Sequence, residues 1–155
     1  MKHLAIVCIC IALGACARTE VTRTSANTIL IDASAAPACG GQGAAKVAAK
    51  AAAIETIKAG YDRFIILGGS SQNNVMAAAL PGQYNTYGNF GYGGSFRATT
   101  TYTPGPVIVA GSHDRTLTVR MFRSGDYGYE QAVDARSSLG PDWQQIVKNG
   151  VGTCL

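Results

Sequence analysis

The stretch from Ala44 to Ala59 constrains the fold more than any other part of the chain: half of it is alanine, and none of it is glycine or proline. Alanine gives up no side-chain freedom in a helix and buries no polar group, so this segment reads as helix. Val47, Ala51, Ile54 and Ile57 recur at helical spacing and define one apolar face, with Lys50 and Lys58 at its margins. Gly60 follows where a left-handed C′ residue is expected. Apolar runs stand on both sides, Thr28 to Ala33 before the helix and Arg63 to Gly68 after it, and each reads as a strand. A strand–helix–strand unit of this length buries one helix face on a sheet.

Further along, Val107 to Ala110 and Arg115 to Phe122 read as two strands that turn at Gly111-Ser112-His113-Asp114. In the second, Leu117, Val119 and Met121 alternate with Thr116, Thr118 and Arg120, the pattern of a half-solvated antiparallel sheet. Glu130 to Leu139 reads as helical. Pro141, Asp142 and Gly150 bracket a short terminal helix whose packing face is Trp143, Ile146 and Val147. The expected fold is α+β: a small, mostly antiparallel sheet, one alanine-rich helix packed on it, and a short C-terminal helix. Residues 82–105 stand apart. There Tyr84, Tyr87, Tyr92 and Tyr102, with Phe90 and Phe96, alternate with glycines, and the stretch reads as a long loop or irregular hairpin. Tyrosine offers contact area and a hydroxyl at low entropic cost, so these four tyrosines are the candidate binding surface.

With 155 residues, 47% hydrophobic and 14% charged, the chain suits one globular domain and not a disordered tail. The net charge of +4 is small and scattered, unlike the clustered basic face of a nucleic-acid binder. Met1-Lys2-His3 is followed by a short apolar core from Leu4 to Ala12, too short for a membrane-spanning helix and right for a secretory signal. Leu13-Gly14-Ala15-Cys16 resembles the lipobox of bacterial lipoproteins. That resemblance implies a leader of residues 1–15 and an acylated Cys16 that anchors the chain in the lipid bilayer. With no aspartate at position 17, it further implies an outer-membrane, periplasm-facing address. Residues 16–27 then form the lipidated N-terminus and tether, and 28–155 the single domain. Removal of the leader leaves Cys39 and Cys154 besides Cys16. An even pair in an oxidising envelope is expected to form a disulfide, and no CxxC spacing or nearby histidine favours a redox or metal pair.

Beyond the lipobox, the chain resembles a group of small proteobacterial envelope lipoproteins to which no activity is attached. The residues that carry the likeness are the strand Ile29 to Ile31, the alanine-rich helix running into Gly60-Tyr61-Asp62-Arg63-Phe64, the strand ending in Met121-Phe122, Leu139 to Trp143, and Cys154. Catalytic signals are sparse. Gly40-Gly41-Gln42-Gly43 lacks the third glycine of a dinucleotide turn and the Gly-Lys-Ser/Thr of a phosphate loop. Ser112-His113-Asp114 holds the residue types of a hydrolase triad, but three neighbours in a tight turn do not converge. Asp32, Glu55, Asp62, Asp114 and Asp126 offer carboxylates with no motif selecting a pair. The expected function is that of a non-enzymatic, lipid-anchored envelope protein with a structural or interaction role. The alternatives are a glycan- or peptidoglycan-binding module and, further off, a small hydrolase using His113. No cofactor, metal or nucleic acid is expected, and the partner is another envelope protein or peptidoglycan.

Overall fold

A computed structural model describes residues 17–154; Cys16 and the leader lie outside the described residues. The chain runs through β1 (Ala17–Arg23), β2 (Thr28–Ala35), α1 (Gly40–Lys58), β3 (Arg63–Asn73), β4 (Met76–Ala79), β5 (Gln83–Phe90), β6 (Phe96–Thr103), β7 (Val107–Ala110), β8 (His113–Phe122), β9 (Val133–Asp134), α2 (Ala135–Leu139) and α3 (Trp143–Asn149). Its centre is an antiparallel five-stranded sheet in the order β1-β2-β8-β3-β9. One face of this sheet carries α1, and the fold is α+β.

The core follows from the alternation in the strands. Ile29, Ile31 and Ala33 of β2, Leu117, Val119 and Met121 of β8, and Phe64 of β3 pack against Val47, Ala48, Ala51 and Ala52 of α1. Ile31, Val119 and Met121 have no exposed surface, and each buried side chain of this size contributes about 1.5–3 kcal/mol. The small alanine side chains let α1 lie close to the sheet, and α2 and α3 pack against α1. Cys39 and Cys154 are joined by a disulfide across a sequence separation of 115, tying the C-terminus to the start of α1. Gly43 lies against that bridge: a Cβ there would stand 2.8 Å from the Cys39 Cβ and 3.1 Å from the Cys154 Cβ.

Several elements differ from the sequence expectation. Residues 17–23 form an edge strand where a tether was expected, paired with β2 from Ala17↔Ala35 to Arg23↔Ile29. Backbone pairing needs no apolar side chains, and Arg18, Glu20 and Arg23 suit a solvent-facing edge. Helix α1 starts at Gly40, so Gly40-Gly41-Gln42-Gly43 lies in its first turn. Helix does not fill Glu130 to Leu139. Val133 pairs with Phe64, and Asp134 caps α2 by accepting from the Ser137 N–H at 2.8 Å, so helix begins only at Ala135. Nor do β7 and β8 form a hairpin: β7 pairs with β4, while β8 lies between β2 and β3.

The largest difference concerns 82–105. The expected loop is the outer part of a regular antiparallel ribbon. A bulge between Ile66 and Gly68 resets the β3–β8 register, and from Gly68↔Thr118 the same register holds without slip to Phe90↔Phe96. The joints between segments are bridged by Asn74 N–H to Ser112 O at 2.9 Å and Leu80 N–H to Pro106 O at 3.0 Å. Beyond Asn73↔His113, where the five-stranded sheet ends, two strands continue alone. At roughly 3.3 Å per residue the ribbon projects about 50 Å from the core.

Candidate functional site

The projecting ribbon is the candidate site, and its geometry follows from strand alternation. Residues directly opposite each other in a ladder share a face. On one face lie Met76 with Ala110, Ala78 with Ile108, Leu80 with Pro106, Tyr84 with Tyr102, Thr86 with Thr100, Gly88 with Ala98, and Phe90 with Phe96. On the other, the inner half carries Ala77 with Val109 and Ala79 with Val107. Its outer half carries Gln83 with Thr103, Asn85 with Thr101, Tyr87 with Thr99, and Asn89 with Arg97. The first face is apolar apart from the Thr86–Thr100 pair, whereas the second turns polar beyond Pro81 and Gly105.

The apolar face is ordered by its own side chains. Tyr84 and Tyr102 pack with ring centroids 4.7 Å apart, and Phe90 and Phe96 at 4.9 Å. The Tyr102 ring covers Gly82 and the Phe96 ring covers Gly88, so a side chain at either glycine would collide with it. Aromatic cover of a strand glycine restores cross-strand packing that glycine lacks. Between the aromatic pairs, Thr86 and Thr100 hydroxyls hydrogen-bond at 2.9 Å. Among the described residues nothing covers this surface: Met76 is 72% exposed, Tyr84 73% and Phe90 82%.

Continuity with the core makes this polarity unusual. The apolar face of the ribbon extends the open face of the sheet, which next to the ribbon's root is hydrophilic: Arg18, Glu20, Asp32, Ser34, Gln72 and Asp114 line a cavity of about 650 Å³ there. Four residues beyond Gln72 and Asp114, past Asn74 and Ser112, the same face becomes Met76 and Ala110. The ribbon's other face extends the side that packs on α1; it is apolar through Ala77, Val109, Ala79 and Val107 and turns polar only in the outer half, at Gln83, Asn85 and Asn89. The switch at the root is thus confined to the open face, and the apolar surface it creates is exposed.

Edges and charge tell the same story. The core sheet guards its edges, with Arg18, Glu20 and Arg23 on β1 and a two-residue strand at β9. The ribbon's two edges carry no such run of charges, and only Pro81, Pro104 and Pro106 at its middle interrupt them. Between Arg63 and Arg97 the sequence holds no Asp, Glu, Lys or Arg, and none follows from Ala98 to Ser112. That charge-free run, with aromatic residues recurring at even spacing, was the sequence signal for the ribbon. Ala17, covalently next to Cys16, pairs with Ala35, which pairs with His113 at the ribbon's root; Ala17 lines a small cavity with Gly111 and Ser112 there.

The four predicted tyrosines do not form one surface. Tyr84 and Tyr102 are neighbours on the apolar face, Tyr87 lies on the opposite face, and Tyr92 is in the tip turn. His113 and Asp114 open β8 and are not in a turn. As successive strand residues they project to opposite sides, His113 towards Gly41 of α1 and Asp114 to the open face. Asp114 accepts from Ser34 Oγ at 2.7 Å and Asn74 Nδ2 at 2.6 Å. The hydroxyls of Ser34 and Ser112, then the Asn74 amide, hold its carboxyl below the ordinary range, against a smaller opposing effect of burial. It pins the ribbon's root to β2 as an anion, the reverse of the raised pKa a glycosidase acid needs. Asp32 lies on the same face and accepts from Thr116 Oγ1 at 2.6 Å. Glu55 pairs with Lys58 on α1 and Asp62 with Arg136, while Asp126 caps a turn through the Arg123 N–H; these three do not converge with Asp32 or Asp114.

Among the described residues no group of three or more His, Cys, Asp or Glu is arranged to hold a metal ion. None of the described helices is long and apolar enough to cross a membrane, which leaves strands unaddressed. Comparison with protein-family models, curated proteins and solved structures finds no match to this chain.

Proposed function

We propose that this chain is a non-enzymatic, lipid-anchored envelope protein of the outer membrane with a structural or interaction role, and that the ribbon is the element through which it acts. One observation carries the reading: a two-stranded ribbon with Arg97 as its one charged residue that leaves both edges and a largely apolar face exposed. An isolated ribbon of this kind is marginal in water, and an unprotected edge is a template for another strand. Exposed apolar surface of this extent marks contact with a partner or a membrane. The opposed projections of His113 and Asp114, and the depressed carboxyl of Asp114, favour interaction over hydrolysis.

The test is photo-crosslinking in cells from single probes replacing Tyr84, Tyr87 or Tyr92, with a probe at Tyr127, a fully exposed core-domain tyrosine, as control. Discrete adducts from the ribbon that the Tyr127 probe does not form are expected. Equal, diffuse adducts from ribbon and control would overturn the reading. A glycan adduct at Tyr84 in place of a protein or lipid adduct would redirect it to a peptidoglycan-binding module.

A further inference from the structure

Resting on that reading, we propose what covers the ribbon: the ribbons of further copies of this chain, joined edge to edge into a closed β-barrel through the bilayer. Lipid lies on the Tyr84–Phe90 face and water on the Asn85–Asn89 face.

Length is the first argument. A tilted transmembrane strand needs about 9–11 residues. The apolar face runs from Met76 to Phe90 on one strand and from Phe96 to Ala110 on the other, which is sufficient with room for tilt. Edges are the second. In hydrocarbon every backbone N–H and C=O must be paired, so a two-stranded ribbon crosses only as part of a closed barrel. Two strands per copy and a smallest barrel of about eight strands require about four copies or more. Alternation is the third. Membrane barrels carry apolar residues outward and polar ones inward, with aromatic girdles near the interfaces. In the outer half, Tyr84, Tyr102, Phe90 and Phe96 hold one face around the Thr86–Thr100 pair, opposite Asn85, Asn89, Thr99, Thr101 and Thr103.

Position is the fourth and independent argument. The open face of one continuous sheet switches from charged to apolar at Asn74 and Ser112. The register Ala17↔Ala35↔His113 sets the residue after Cys16 at that same level. An acyl chain on Cys16 would put the bilayer surface at the ribbon's root, so the anchor and the polarity switch specify one plane. A soluble protein partner laid along the ribbon would account for the open edges but not for that coincidence.

The experiment uses the lipidated full-length chain in its native membrane. With Cys16 acylated and Cys39 bound to Cys154, one added cysteine is the sole free thiol. Asn85→Cys and Asn89→Cys report the polar face, Thr86→Cys and Ala98→Cys the apolar one, and variants are compared only where their melting matches the parent. A charged, membrane-impermeant maleimide should label the first two at least tenfold faster than the second two. The detergent-extracted particle should have the mass of a closed ring of about four copies or more. Labelling within twofold on both faces overturns the barrel. If the ribbon adducts described above persist, the interaction role stands and the partner is aqueous; if they too are missing, both readings fall. A monomer in mild detergent, or an open-ended filament of unbounded mass, also overturns the barrel.

Discussion

Excising the ribbon is the sharpest test of the division of labour between core and arm. In such a variant Asn74 is joined to Ser112 through a two-residue Asn-Gly turn, which removes Val75 to Gly111. No residue in that span is buried, and every member of the main hydrophobic cluster lies outside it. The transfer free energy of folding is therefore untouched. Shortening the connection from roughly forty residues to two relieves about 2–3 kcal/mol of loop-closure entropy, of which the ribbon's own pairing already offsets a part. The Asp114 contacts to Ser34 and Asn74 are kept. The core should then be as stable as the full chain, or more stable by up to about 2 kcal/mol. Both forms would be processed, purified in the same detergent and melted under circular dichroism. For a domain of this size a 2 kcal/mol loss lowers Tm by roughly 10 °C. A drop that large would mean that the ribbon supports the core, and would refute the argument that its exposed surface serves something outside the chain. Assembly and ribbon crosslinking should both vanish.

Cys154→Ser should destabilise the folded chain by about 3–4 kcal/mol on the chain-entropy view of a loop this long, read as a shift in urea midpoint that reductant reproduces in the parent. For Asp114 the sign runs with a depressed folded-state pKa: its stabilisation is present above the ordinary carboxylate range and lost as pH falls through the lower folded value. Asp114→Asn should cost about 1 kcal/mol near neutral pH, and its gap from the parent should close in acid unfolding as pH falls through that lowered value; a gap that widens in acid would be contrary. Arg97 is the one charged residue on the ribbon, on the polar face opposite Asn89. If the barrel forms, a ring of these arginines makes the pore anion-selective. Arg97→Gln should move the reversal potential in planar bilayers towards zero, and an unchanged potential would remove Arg97 from the pore lining.

How much of this was legible in the sequence depends on where each residue's partners lie. β2, α1, β3 and β8 were readable because their apolar residues face one another within the chain: Ile29 and Ile31 meet Val119 and Leu117, and all meet α1. The disulfide was readable by counting. β1 was hidden because an edge strand is held by its backbone, and Arg18, Glu20 and Thr22 carry no trace of the pairing. The terminal helix was visible through Pro141, Asp142 and Gly150, whereas β9 was too short to leave a pattern.

The ribbon was misread for a different reason. Glycine, asparagine, threonine and tyrosine in sequence resemble loop chemistry when the assumed environment is water on one side and this chain's core on the other. Under that assumption Gly82 and Gly88 look like breakers, although each is covered by an aromatic ring from the opposite strand. The even-numbered apolar series Met76, Ala78, Leu80, Tyr84, Phe90 also looks unsupported, because no described element packs on it. A period-two pattern identifies a strand whatever lies on its two sides, but the inside and outside of that strand are defined only by its surroundings. At the ribbon's root the open face turns from polar to apolar while the backbone register does not change. Among the described residues nothing is packed on that apolar face, and the proposed assembly is what would supply its surroundings.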